Sequence, residues 1–138
     1  MTTRLGELRV CIDVDDLERA VAFYTEAIGL RVGRRIGPGV VELLGAPCPI
    51  DLLQKPAGSA AHGGGEARSY RRHWTPVHLD FVFDDAAAAV TRAVAAGATV
   101  EQPLADVPFG KIAQLADPFG HGLCFLQMIG RGYDAVTG

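Results

Sequence analysis

The sequence lacks several features that would have assigned it at once to a broad class. It contains no apolar run approaching the roughly 18 residues that a membrane-spanning helix needs, and Met1 to Gly6 lack the apolar core of a signal peptide. A cytoplasmic protein with no membrane partner is therefore expected. Basic charge is also scarce: 13 Lys and Arg face 16 Asp and Glu, a net charge of -3. That balance argues against the basic surface needed to displace counterions from a phosphate backbone, so no nucleic acid partner is expected. Cysteine is limited to Cys11, Cys48 and Cys124, an odd number without CxxC spacing. Such a set cannot close a disulfide framework and reads as reduced thiols. Nor is there the charge excess of a disordered chain, since 49% of residues are hydrophobic and 21% charged.

What is present is an internal repeat. Alternation through Pro76 to Phe83 reads as a half-buried strand, Asp84 and Asp85 as helix N-cap candidates, and Ala86 to Ala96 as a helix closed by Gly97. The same order stands earlier: Arg9 to Asp16 align with His78 to Asp85 without gaps at an offset of 69, with Val10, Ile12 and Val14 on Leu79, Phe81 and Phe83. The ends of the halves correspond too, Ile50 to Gln54 lying over Leu123 to Gln127 at an offset of 73, which makes Asp51 and Cys124 equivalent.

Taken in order, the spacing predicts a strand at 8–14 and a helix with Asp15 at its N-cap, Glu18 in capping-box position and Gly29 at its end. Short strands at 30–36, 40–44 and 50–54 follow. The second half repeats this with strands at 77–83, 98–101, 111–116 and 123–128, a long connection at 103–108, and a tight turn at Asp117 to His121. The expected fold is α+β: two tandem βαβββ modules whose mixed sheets curve into a cup. A single domain accommodates them, with module one at 5–55, a loop at 56–75, module two at 76–130 and a frayed tail at 131–138. A loop that long reads as a functional lid or a flexible linker.

In each module one sheet face is covered by the helix and the other is free to line a concave ligand space. Strand alternation puts Arg9, Cys11, Asp13, Asp51, Leu53, His78, Asp80, Cys124, Leu126 and Met128 on the free faces. From these, Arg9, Asp13, Asp51, Leu53, Cys124 and Leu126 are the candidate ligand-binding residues, and His78 and Asp80 the candidate catalytic pair. The facing of Glu42, Gln54 and Gln127 is not fixed by alternation. Cys11 and Cys48 read as small buried hydrophobes, and the Arg68 to Arg72 cluster as solvated surface.

The chain resembles the vicinal oxygen chelate superfamily, which contains glyoxalase I, extradiol dioxygenases, fosfomycin-resistance enzymes and bleomycin-binding resistance proteins. The resemblance rests on Val14 to Tyr24 running to Ile28-Gly29-Leu30, on His78 to Asp85, and on Pro108-Phe109-Gly110 through Asp117 to His121. It implies a divalent metal (Zn, Ni, Mn or Fe) held by His or Gln on the first strand of each half and by Glu on the last. Carried over, those places are Arg9, His78, Asp51 and Cys124, and only His78 matches directly. Arg9 cannot donate a lone pair and would repel a cation, so the alternatives are no metal at all or a reduced site of His78, Asp51 and Cys124. A guanidinium at that place is expected to pair with Asp51 or to receive an anionic ligand, and Asp13 and Asp80 to be paired with Arg9 and its neighbours.

Two functions follow. One is a metal-free protein that binds a small molecule, as the bleomycin-resistance members do. The other is a glyoxalase-like lyase or isomerase, or a dioxygenase-related enzyme, in which His78 or Asp80 moves a proton next to a carbonyl. The resemblance further implies a homodimer.

Overall fold

Alternating apolar residues at the start of each half nucleate two sheets of the same design. The computed structural model describes residues 3–138 and gives the order β1 (Val10–Val14), α1 (Leu17–Ile28), β2 (Arg31–Ile36), β3 (Val40–Leu44), β4 (Ile50–Gln54), β5 (Leu79–Val82), α2 (Ala86–Ala96), β6 (Thr99–Val107), β7 (Gly110–Ala116) and β8 (Gly122–Met128). The fold is α+β, with two four-stranded mixed sheets ordered β1-β4-β3-β2 and β5-β8-β7-β6. The first compact unit runs to Thr25 and continues over Gly29–Tyr70; the second comprises Glu26–Ile28 and Arg71–Gly138. No helix among the described residues is long and apolar enough to cross a membrane.

Strand register repeats the offsets of the sequence. In the first sheet β1 lies parallel to β4 with Cys11 opposite Asp51; in the second, β5 lies parallel to β8 with Asp80 opposite Cys124. Apolar residues of each sheet turn towards the helix side: Val14, Leu52, Val41 and Leu43 are buried in the first unit, Phe125, Leu123 and Leu115 in the second. Phe83 and Phe125 meet at 4.9 Å between ring centres. Burying each side chain of this size contributes about 1.5–3 kcal/mol.

Both helices start and stop alike. Asp16 and Asp85 cap them by accepting from the backbone N–H of Arg19 and Ala88, and Gly29 and Gly97 close them in the left-handed conformation at φ 89° and 119°. The first cap is thus Asp16, not Asp15, because β1 runs on to Val14 and Asp15 is spent in the bend; Glu18 is free to pair with Arg35 at 2.6 Å. A second device is shared. The Gln54 side chain accepts from the N–H of Leu17 at 2.9 Å, and the Gln127 side chain from that of Ala86 at 2.9 Å. The two glutamines whose facing alternation did not fix therefore close helix starts.

Two segments are more ordered than the sequence suggests. β6 continues through Pro103 to Val107 where a connection is expected, because it is an edge strand whose pairing slips between Val100 and Gln102 and again between Gln102 and Ala105. A proline without an N–H is tolerated at such an edge. The tail forms a 3-10 turn at Gly132–Ala135, where the Tyr133 ring meets Phe109 in a tilted contact at 4.9 Å between ring centres.

If the glutamines are equivalent, Gln54→Ala and Gln127→Ala should each lower stability by about 1 kcal/mol in urea unfolding. A loss at only one of them would break the equivalence.

Candidate functional site

The free face of the first sheet is built around Arg9, which stands just before β1. Its Nε donates to Asp51 Oδ2 at 2.9 Å and its Nη2 to Asp51 Oδ1 at 2.8 Å, a forked pair. The same Nη2 donates to Glu42 Oε2 at 2.7 Å, and Nη1 to Glu7 at 3.0 Å. Arg34 grips Glu42 from the other side, with Nε at 2.9 Å and Nη2 at 2.7 Å. Glu42 and Asp51 sit opposite each other on β3 and β4 and are both buried. Gly33 leaves the space that the Glu42 carboxylate occupies, since a Cβ there would come within 2.7 Å of Glu42 Oε1. Arg34 first, then Arg9, holds the Glu42 carboxyl at about 2, far below its usual range. The carboxylates in turn raise the Arg9 pKa, so its charge is permanent.

The equivalent places in the second sheet carry different chemistry. His78 and Asp80 project to the same side of β5, with Nδ1 and Oδ1 3.2 Å apart, and the Cys124 sulfur lies 3.9 Å from His78 Nδ1. His78 and Asp80 are about two-fifths exposed, at 41% and 42% of their side chains, whereas Cys124 is buried. Burial pushes the Cys124 thiol up to about 11, with the Asp80 charge adding to the effect. The cross-strand row continues from Cys124 to Gln114 on β7 and Gln102 on β6, with Val82, Leu126, Ile112 and Ala105 forming an apolar row beside it.

Donors for a metal are thus distributed unevenly. Both Asp51 oxygens accept from Arg9, and a cation there would meet the guanidinium charge; the centre that the resemblance implies does not fit the first half. The grouping that the structure brings together is His78, Asp80 and Cys124, whose ligand atoms all lie within 4.8 Å of one another. Of the two leucines expected to line the free faces, Leu53 is half-buried, whereas Leu126 is fully buried and offers no open apolar surface.

The long loop contributes side chains that the sequence does not place. Asp13 pairs with Arg68, not Arg9: Nε donates to Asp13 Oδ2 at 2.7 Å, while Nη1 donates to the backbone oxygen of Ala60 at 2.5 Å. Lys55 to Tyr70 is closed by a bridge between Ala60 and Ala67 and by the Tyr70 hydroxyl donating to the Lys55 carbonyl at 2.7 Å. In the second unit Arg72 forks onto Glu101 and stacks on Trp74 at 4.6 Å, and Trp74 meets His78 edge-on at 5.8 Å between ring centres. Two members of the expected solvated cluster, Arg68 and Arg72, are therefore tied to sheet carboxylates. Cys11 is exposed and Cys48 half-buried, contrary to the buried role expected; Cys11 faces out beside Arg9 on an edge strand. His121 lies in the turn it was read into, its N–H donating to Asp117 Oδ1 at 2.8 Å. The residues that alternation alone did not assign are Glu42, Gln114 and Trp74. For the first two, a signal existed in their matching place on the third strand of each half.

Residues 9–126 match the family model described as a glyoxalase-like domain. The anthracycline biosynthesis protein DnrV of Streptomyces peucetius is 31% identical over 124 residues, covering 90% of this chain and 42% of that protein. The corresponding DauV of Streptomyces sp. strain C5 is 29% identical over 114 residues, covering 83% and 38%. The chain thus spans less than half the length of these curated relatives. Among solved structures, TnmS3 from Streptomyces sp. CB03234, described as an antibiotic binding protein, superposes with a TM-score of 0.65 at 21% identity over 94% of this chain and 100% of that one. At that identity the likeness establishes the fold.

Two outcomes follow from the electrostatics. Because the folded-state pKa of Glu42 lies at about 2 against an ordinary 4.5, its contribution to stability is complete above pH 4.5 and is lost as pH falls towards 2. Glu42→Gln should lower stability at neutral pH and flatten the acid limb in urea melts taken across that window. Iodoacetamide at pH 8 should label exposed Cys11 well before buried Cys124, as peptide mass mapping over time would show.

Proposed function

This chain is a glyoxalase-like protein of the vicinal oxygen chelate superfamily, and from that premise we propose that it is a small-molecule binding protein of the bleomycin-resistance type with a degenerate metal site. The observation that carries this reading is Arg9: a permanent cation, clamped between Asp51 and Glu42, stands where a neutral donor would hold the metal of a catalytic member. An ion pair so fully internally matched gives the first half a rigid, charge-compensated wall rather than a reactive centre.

The ligand we infer is a planar, polycyclic aromatic molecule with an oxygen-rich edge. The names of the anthracycline-pathway relatives and of the antibiotic-binding neighbour support this, as does the free face of the second sheet. There Gln102 and Gln114 flank a hollow of about 250 Å³ whose apolar side is formed by Pro103, Ala105 and Ile112. Its volume, below that of a whole ligand pocket, suits one part of such a molecule. Carboxamides can both donate to and accept from quinone and phenol oxygens, while the apolar row receives the ring face. The reading takes the two modules as one domain acting as a homodimer in the cytoplasm, with its three cysteines reduced.

A second reading is kept for one observation. The pairing of His78 with Asp80 at 3.2 Å is the arrangement of a base and its orienting carboxylate. With it the chain would be a lyase or isomerase moving a proton beside a small carbonyl or oxyanion substrate.

A fluorescent tetracyclic hydroxyanthraquinone glycoside serves as probe for both. Saturable quenching of its fluorescence, recovery of the probe unchanged by mass spectrometry, and about tenfold weaker binding in Gln114→Leu are the results expected of a binding protein. A new product mass that disappears in His78→Ala would favour the enzyme, and absence of binding at micromolar protein would overturn the ligand class.

A further inference from the structure

The hollow of the second sheet has a built end. β6 and β7 pair Val100 with Leu115 and Gln102 with Gln114, so Glu101 is an extra residue set against a single step of β7. A bulge of this kind re-aims a side chain, and here it brings the Glu101 carboxylate to the segment that precedes β5. Arg72 forks onto both carboxylate oxygens, and the indole N–H of Trp74 donates to Oε1 at 3.1 Å. The Arg72 guanidinium also lies over the Trp74 ring, 4.6 Å from its centre. One carboxylate therefore holds two side chains that hold each other. The forked bond from Arg72 keeps the Glu101 carboxyl below its usual range, so the clasp stays charged at neutral pH.

Where the indole comes to rest follows from Gly122. A Cβ there would come within 2.6 Å of the six-membered part of the ring, so Trp74 fills the place that a side chain at the start of β8 would take. By strand alternation that place is on the free face, in line with Cys124. Gly122 pairs with Ala116, two residues beyond Gln114 along β7. The indole thus stands past the Gln102 and Gln114 end of the hollow, with the residue 40% exposed.

We propose that Trp74 is the end wall of this hollow and determines how far a flat ligand held by Gln102 and Gln114 can extend past them towards Gly122. The inference rests on the ligand reading given above and adds a limit of shape to it. The two carboxamides fix where the oxygen-rich edge of the ligand sits. Rings on one side of that edge lie along Pro103, Ala105 and Ile112, whereas a ring fused on the other side would need the space of the indole. Without the indole the face would run on by two residues of β7, about 6.7 Å of strand, which is room for another fused ring. Selectivity of this kind comes from a clash with the wrong ligand and not from a further attraction to the right one. Glu101 acts through Trp74 and is a positioning residue.

The test titrates the chain with three linearly fused hydroxyquinones. The first is a tricycle with its quinone oxygens on the middle ring; the second adds a ring at one end; the third adds a ring at both ends, so that turning the molecule round cannot avoid the wall. The tricycle and tetracycle should bind alike, and the pentacycle at least about tenfold more weakly. Trp74→Ala should bring the pentacycle to the affinity of the tetracycle and leave the two smaller probes nearly unchanged. Glu101→Ala should do so in part and make the fluorescence of Trp74, the single tryptophan, more quenchable by acrylamide. Glu101→Gln, which keeps an acceptor for the indole N–H, should retain most of the discrimination. Circular dichroism establishes that each variant is folded, and Glu101→Ala carries the test if Trp74→Ala is not. Equal binding of all three probes by the unaltered chain, or folded variants that still exclude the pentacycle or weaken all three probes alike, would overturn the end wall alone. Failure of all three probes to bind would overturn the ligand class and the wall with it.

Discussion

The forked contact of Arg9 with Asp51, shared with Glu42, is the constraint on which the first half depends. Two carboxylates face each other across β3 and β4 with almost no exposure, an arrangement that would be strongly unfavourable without a cation between them. Arg9 and Arg34 supply that charge from either side, and the planar guanidinium matches the carboxylate geometry in a way a lysine ammonium would not. The network explains why a sheet surface that could have been reactive is instead held in one arrangement.

Because the two halves share registers and capping devices, the difference between them is chemical and not architectural. Asp16 and Asp85, Gln54 and Gln127, and Gly29 and Gly97 do the same work in each. At the free face the equivalence stops, with a matched ion cluster on one sheet and a softer imidazole, carboxylate and thiol group on the other. A duplicated fold can thus dedicate one copy to fixed electrostatics and leave the other to ligand chemistry. Family membership fixes the frame, while the side chains at these few positions decide how the frame is used.

The repeat, the helix caps within one residue, and the register that sets Cys11 opposite Asp51 and Asp80 opposite Cys124 were legible in the sequence because strand alternation and helix signals are local. The Arg9 and Asp51 pairing could be anticipated too, since equivalence of the strands placed both on one face. What could not be read depends on distant chain. Asp13 finds Arg68 only after a loop has folded back across a separation of 55 positions, and Trp74 reaches Gly122 and His78 from a segment without periodicity. Glu42 sits in a strand whose apolar neighbours hid its direction, and its burial follows from two arginines that no local pattern links to it. The full length of β6 is not legible either, since only the sheet order reveals that Pro103 lies on an edge strand, where a missing N–H is tolerated.

That edge has a wider consequence. An outer strand with a proline and two slips in register offers an incoming backbone an interrupted series of hydrogen-bonding groups. The second sheet is therefore guarded against being lengthened on its β6 side by another chain. The other margin is the short β5, the strand that also carries Asp80, so a backbone that lengthened the ladder there would run alongside the imidazole, carboxylate and thiol.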